Sequence, residues 1–182
     1  MFKYVGDISK IAQNIISFYC SNFNIAVDAT LGNGYDTDFL CEKFNKVYSF
    51  DIQKTAIENY LIRKKDNVIL INDSHEKLST YIKTEVGCIM YNLGFLPGGN
   101  KNITTKTEST ISSIKEGLYL LCPGGIMSIA IYTGHDEGIK EKDAILNLVS
   151  SLSKKDYGVL MHSFINRSST SPLLVIVEKN GI

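Results

Sequence analysis

The chain has 182 residues, 44% apolar and 21% charged, which excludes a disordered or fibrous protein and suits one domain with a full core. Nineteen Lys and Arg offset nineteen Asp and Glu, so a broad basic footprint for nucleic acid is excluded and any polyanion must meet a local patch. The four cysteines (Cys20, Cys41, Cys88, Cys122) form no C-x-x-C pair, which speaks against a zinc site or disulfide framework and for free thiols in a reducing cytoplasm. The N-terminal MFKYVGDISK lacks the pattern of a signal peptide, and no apolar run approaches the roughly 18 residues of a membrane span. A cytoplasmic protein without membrane contact is the expectation.

In chain order, residues 7–22 read as an amphipathic helix with Ile8, Ile11, Ile15, Ile16 and Tyr19 on one face and Asp7 or Ser9 as its cap. A short apolar run, 25–29, reads as a strand, followed by a helix over 36–44 and a strand over 46–51. Residues 53–65 read as a helix and 68–73 as a third strand. A short helix over 75–83 leads to a fourth strand, 88–93, and then to the loop GFLPGGNKNIT. Ile111, Ile114, Leu118 and Leu121 mark a helix over 105–121, stopped by Pro123, Gly124 and Gly125. A fifth strand covers 125–132 and a helix covers 136–153. The segments YGVLMHSFIN and PLLVIVEK are two final strands with no helix between them. Strands alternating with helices predict a parallel sheet covered on both faces, and the last pair predicts an antiparallel hairpin at its edge. No linker or repeat divides residues 1–182.

Asp28, Asp51, Asp73 and Asn92 each fall at the end of an apolar strand. In an open parallel sheet the ligand lies beyond those ends, where strand order reverses, so the four converge on one crevice. The first belongs to DATLGNGYDT, whose glycine spacing is G-x-G-x-x-T, Gly32, Gly34 and Thr37. Such a loop can cradle a pyrophosphate, border an S-adenosylmethionine pocket, or make a tight turn. Glycines let the backbone approach a ligand. Asp28 beneath them would repel a pyrophosphate, but it can accept from loop amides or hold an ammonium group. Asp51 is placed to bind both ribose hydroxyls of an adenosine, whichever cofactor carries it. Asp73 is placed to accept from the adenine amino group. His75 either stacks on the base or belongs to a capped helix start.

NLGFLPGG, residues 92–99, is similar to the N/D-P-P-Y loop of amine methyltransferases, in which an asparagine oxygen and a backbone carbonyl orient the target nitrogen. A plain Gly/Pro turn is the other reading. YTGHDEG brings Tyr132, His135, Asp136 and Glu137 to the same crevice, either to deprotonate and orient an ammonium substrate or as a capped loop start. His162, inside a strand, reads as structural.

Together VDATLGNGYDT, DSHE, NLGFLPGGNKNITT, LCPGG, YTGHDEG and NRSSTSPLLVIVEK resemble, in order and over nearly the whole chain, the small YtqB-like rRNA methylase family of class I methyltransferases. The resemblance implies a Rossmann-like α/β fold with a seven-stranded, mostly parallel sheet. It implies S-adenosylmethionine as cofactor, no metal, and methyl transfer to the 5-aminomethyl nitrogen of a tRNA wobble uridine, often 2-thiolated, with the anticodon stem-loop as partner. Cofactor contacts are then expected from Asp28, Thr30, Gly32, Asn33, Gly34, Asp36 and Thr37; from Asp51, Ile52 and Gln53; from Asp73, Ser74 and His75; and from Asn92. Asn92, Leu93, Gly94, Phe95, Tyr132 and His135 are the expected catalytic set, with Lys101, Lys106 and Arg167 on RNA phosphates. Phe95 stands where the family pattern has tyrosine. Rival readings are an rRNA base or small-molecule amine as acceptor, an NAD-binding oxidoreductase, and a non-catalytic methyltransferase-like subunit. A homodimer is compatible with the sequence.

Overall fold

Two apolar layers, one on each face of a single sheet, organise the protein. The computed structural model describes residues 2–94 and 104–181; Phe95 and Lys101, both given site roles from sequence, lie outside the described residues. The strands are β1 (Ile25–Asp28), β2 (Lys46–Phe50), β3 (Val68–Ile71), β4 (Val86–Asn92), β5 (Leu121–Ile131), β6 (Tyr157–His162) and β7 (Leu173–Lys179). The helices are α1 (Ile8–Tyr19), α2 (Tyr35–Lys43), α3 (Lys54–Leu61), α4 (Leu78–Tyr81), α5 (Thr107–Leu120) and α6 (Asp136–Ser150). Successive strand residues alternate between the layers, as the pleat requires. Ala26, Val47, Cys88, Met90 and Ile176 pack under α1, α2 and α3, whereas Val27, Phe50, Ile89, Tyr91 and Val175 pack under α4, α5 and α6.

Strand order is β3-β2-β1-β4-β5-β7-β6. β1 pairs in parallel with both β2 and β4, so the order reverses there and the crevice opens above β1 and β4. The last two strands are antiparallel, as expected. β7 lies between β5 and β6, however, so β6 alone forms the edge.

Three local expectations change. The stop expected at Pro123 to Gly125 lies inside β5: pairing jumps from Val86↔Leu121 to Cys88↔Ile126, so the segment bulges out of the ladder. A proline cannot donate a ladder hydrogen bond, and a bulge removes that demand. The helix expected over 75–83 divides into a 3-10 turn (His75–Lys77) and the single turn of α4. The turn is held from α5, where Ser113 Oγ donates to the His75 carbonyl at 2.9 Å. The helix expected over 53–65 is the shorter α3, ending at Leu61.

Candidate active site

A cleft of about 1090 Å³ lies at the carboxyl ends of β1, β2, β3 and β4, walled by α1 on one side and by the segment before α5 on the other. Its floor is the loop between β1 and α2. The loop's amides are spent internally: Ala29 N donates to Met90 O (2.9 Å), Leu31 N to Phe50 O (2.8 Å) and Gly34 N to Leu31 O (2.6 Å). Thr30 N donates to Asp28 Oδ1 (3.0 Å) and Gly32 N to Asp51 Oδ2 (2.9 Å). A phosphate cradle needs such donors turned outward. Asp36 and Asp38 in the first turn of α2 also oppose an anion at that helix end. The dinucleotide reading fails on both counts.

Gly34 is fixed by packing. Its φ is +79°, and a Cβ there would stand 2.2 Å from a ring carbon of Tyr60. Tyr60 is held in turn by Asp38 at 2.8 Å, and the Arg63 guanidinium lies over its ring while donating to the Asn33 carbonyl. The missing Cβ of this glycine also makes room for α3, a packing reason that the sequence reading did not include.

Three carboxyl groups of the floor are pushed upward in pKa, each chiefly by burial. Asp28, 1% exposed, is raised to about 7 by burial and the neighbouring Asp36, against hydrogen bonds from Thr37 and Thr30. Asp36 and Asp51 are raised in the same direction, opposed in Asp36 by the Gln13 and Asn92 amides and in Asp51 by the Gln53 and Gly32 amides. Desolvated carboxylates gain most from a cation. A ligand carrying sulfonium and ammonium charges fits this floor, and S-adenosylmethionine carries both. Asp28 itself underpins the loop: Thr37 Oγ1 donates to it at 2.6 Å and also pairs with Ser49 Oγ at 2.8 Å. Neither Asp28 nor Thr37 lines the cleft, while Thr30, Gly32, Asn33, Gly34, Asp36, Asp51, Ile52 and Gln53 do.

Asn92 ends β4 with every polar group directed. Its backbone N–H donates to Thr30 Oγ1 (2.7 Å), its Nδ2 donates to Asp36 Oδ2, and the Tyr132 hydroxyl lies 3.5 Å from its Oδ1. Beyond it, Leu93 turns into the core, 2% exposed. Gly94 and Thr105 then close a neck: Gly94 N donates to Thr105 Oγ1 and Thr105 N to Gly94 O, each at 3.0 Å. Thr105 Oγ1 donates onward to Glu141 Oε2 of α6 at 2.7 Å, and Thr110 Oγ1 donates to Oε1 of the same buried carboxylate at 2.7 Å.

Several expected roles are redirected. Asp73 accepts from Lys77 Nζ at 2.8 and 3.0 Å and from the Tyr81 hydroxyl at 2.8 Å. These bonds lower its pKa and occupy the oxygens assigned to adenine. Ser74 caps the 3-10 turn, accepting from Glu76 N at 3.3 Å. His75 Nδ1 lies 3.0 Å from the Ala29 carbonyl, an acceptor only, so Nδ1 carries the proton. Burial lowers the His75 pKa, and its ring meets Tyr91 edge-on at 5.9 Å. His135 caps α6, its Nδ1 accepting from Gly138 N at 2.8 Å. That bond puts the proton of the neutral ring on Nε2, leaving no ring nitrogen to accept a proton while the cap stands, so the general-base role is corrected to capping. Arg167 donates to Val5 O (2.6 Å), and its guanidinium lies 3.7 Å from the centre of the Phe164 ring. It ties the N-terminal segment down and does not line the cleft. Lys106 does, at its mouth.

Sequence reasoning missed Gln13, Thr105 and Glu141. Gln13 is buried at 6% exposure and donates to Asp36 Oδ1 at 2.9 Å. Its position beside the apolar stripe of α1 carried no signal of that contact. Glu141 sits one turn from Ile145 on the buried face of α6. An acid at a stripe position was a readable anomaly.

A sheet reversed between β1 and β4, an acid-rich cleft at that reversal and an asparagine presented into it define a class I, S-adenosylmethionine-dependent methyltransferase. Residues 47–178 match the family model described as "Putative rRNA methylase", and the chain belongs to that family. It is 33% identical, over 171 residues and 84% of its length, to the Arabidopsis thaliana chloroplastic tRNA (mnm(5)s(2)U34)-methyltransferase, and spans 62% of that relative. A crystal structure of a family member from Clostridium thermocellum superposes with a TM-score of 0.90 at 35% identity, over 96% of this chain and 98% of that one. A methyltransferase structure from Streptococcus mutans, in complex with S-adenosylhomocysteine (SAH), gives 0.87 at 34% identity, over 98% and 99% of the two chains.

Proposed function

We propose that this protein transfers a methyl group to the 5-aminomethyl nitrogen of the wobble uridine of tRNA. The observation that carries the reading is Asn92, whose amide nitrogen is turned onto Asp36 so that its oxygen, which takes only the long 3.5 Å contact from the Tyr132 hydroxyl, can accept from an amine. The name of the plant relative supplies the substrate class. Bound in the cleft, S-adenosylmethionine supplies an electrophilic methyl group on a sulfonium sulfur. Asn92 Oδ1 accepts one N–H of the neutral amine and directs its lone pair along the methyl–sulfur axis. The amine nitrogen would take the methyl group as the sulfonium sulfur keeps the bonding pair, and the surplus proton would pass to solvent, since His135 Nδ1 caps α6. Tyr132, half-exposed at the rim, offers a face for a splayed base, and Lys106 a charge for phosphate.

Nucleoside mass spectrometry of tRNA from a deletion strain tests this reading. Accumulation of 5-aminomethyl-uridine, cured by the wild-type gene but not by Asn92→Ala, is the expected outcome. A second reading, an rRNA base as acceptor, takes its support from the family description; an unchanged tRNA profile with a missing rRNA methyl group would replace the first with it.

A further inference from the structure

Asp36 occupies the first turn of α2, where a carboxylate facing the cleft would touch a cofactor. Its two oxygens are instead shared between two carboxamides from distant parts of the chain. Gln13 Nε2 of α1 donates to Oδ1 at 2.9 Å, and Asn92 Nδ2 of β4 donates to Oδ2. Lys10 Nζ donates to Gln13 Oε1 at 2.9 Å, which turns that amide so that its NH2 faces Asp36. Asp36 and Gln13 are each only 6% exposed. Every link of this chain has a direction: the cation donates to an amide oxygen, and that amide's NH2 and the NH2 of the second amide both donate to the carboxylate.

A carboxamide is nearly symmetric in shape, and packing alone does not decide which end faces which way. Hydrogen bonding does. An ionised carboxylate is an acceptor only, so it takes the NH2 of Asn92 and leaves Oδ1 on the side of Tyr132. We propose that Asp36 is a positioning residue for methyl transfer, holding the Asn92 amide in the one orientation that accepts from the incoming amine, with Gln13 and Lys10 of α1 fixing Asp36 in turn. The inference rests on the reading above, in which the acceptor atom is an amine nitrogen. With the amide reversed, an NH2 would face that nitrogen and donate to its lone pair, occupying the electrons that must attack the methyl group.

The test exchanges donors and acceptors without changing shape. Asp36→Asn puts an NH2 where one carboxylate oxygen accepted, and turnover on tRNA bearing 5-aminomethyl-2-thiouridine should fall roughly ten- to a hundredfold. Turnover is compared at saturating S-adenosylmethionine, because the Asp36 charge also lines the cofactor cleft and a change in binding then drops out. Gln13→Glu alone sets two carboxylates together and should also slow turnover. The double variant, Gln13→Glu with Asp36→Asn, restores the pattern. The carboxylate introduced on α1 accepts from the NH2 of the amide introduced on α2, whose oxygen is then left to accept from Asn92 Nδ2. Recovery of the double variant to within a few-fold of wild type supports orientation. Asp36→Asn turning over like wild type overturns the proposal. So does a double variant as slow as Asp36→Asn alone, because Asp36 would then act through its charge. A second readout needs no substrate: the Asn92 side-chain NH2 signals in a nitrogen-edited spectrum should lose their exchange protection in Asp36→Asn and regain it in the double variant. If wild type leaves this tRNA unmethylated, the substrate reading fails, and the NH2 signals alone decide the positioning role. Unchanged protection in Asp36→Asn overturns it there.

Discussion

Asp28 has both oxygens hydrogen-bonded inside the fold, yet its ionised form remains costly because water is excluded. The folded protein therefore binds this proton more tightly than the unfolded chain, from the ordinary carboxylate range up to about pH 7. With the folded pKa raised, the associated stability is complete at low pH and is lost as pH rises through about 7. Asp28→Asn mimics the protonated form at every pH. Without cofactor, its melting temperature should climb relative to wild type from about pH 4 to about pH 7 and then level off, and a flat difference across that window would refute the assignment. Comparing variant with wild type removes the separate contributions of Glu141, shifted the same way, and of His75, shifted the other way, while Asp36 and Asp51, whose charges help raise Asp28, titrate together with it. Gly34→Ala is predicted to destabilise by about 3 kcal/mol in urea titrations, combining left-handed strain with overpacking against Tyr60. Adding Tyr60→Ala should remove the clash and leave the strain. At this scale the strand-ending Asp28, Asp51 and Asn92 were legible, because each interrupts an apolar run. Their partners were not: Gln13 meets Asp36 from 23 residues away, and a through-space pair leaves no periodic trace.

The elements around the site are joined by few but directed contacts. Thr105 bridges the segment after β4 to α6, accepting from Gly94 and donating to Glu141. Thr105→Val keeps the shape and removes the hydroxyl, leaving a buried carboxylate short of one donor. A loss of about 1–3 kcal/mol is expected by chemical denaturation, with turnover falling more than SAH affinity. A purely structural role would lower stability and leave turnover per folded molecule unchanged. Helices α1, α5 and α6 were readable from their apolar spacing, and Asp7 caps α1 as its sequence suggested. The 3-10 turn was not, since Ser74 and the grip of Ser113 on His75 decide it from outside the segment. The helix stop was read where α5 ends, but the bulge that the same Pro-Gly-Gly makes in β5 was not, because that turn chemistry serves both.

For the molecule as a whole, alternation of strand and helix carried most of the architecture, and the converging strand ends located the cleft. The placement of β7 between β5 and β6 lay beyond sequence, since two strands without a crossover helix can add to an edge in either order. Zero net charge has its consequence here as well. If the proposed RNA substrate is right, its binding should rest on few ion contacts, so the slope of log affinity against log salt should be shallow. Lys106→Ala should reduce that slope by about one and leave SAH binding unchanged, as measured by filter binding across a salt series. The mutual pair of Gly94 and Thr105 works as a buckle: it fastens the end of β4 to the segment that opens α5, and the same Thr105 hydroxyl passes any displacement on to Glu141 of α6, so sheet and helix layer shift together or not at all.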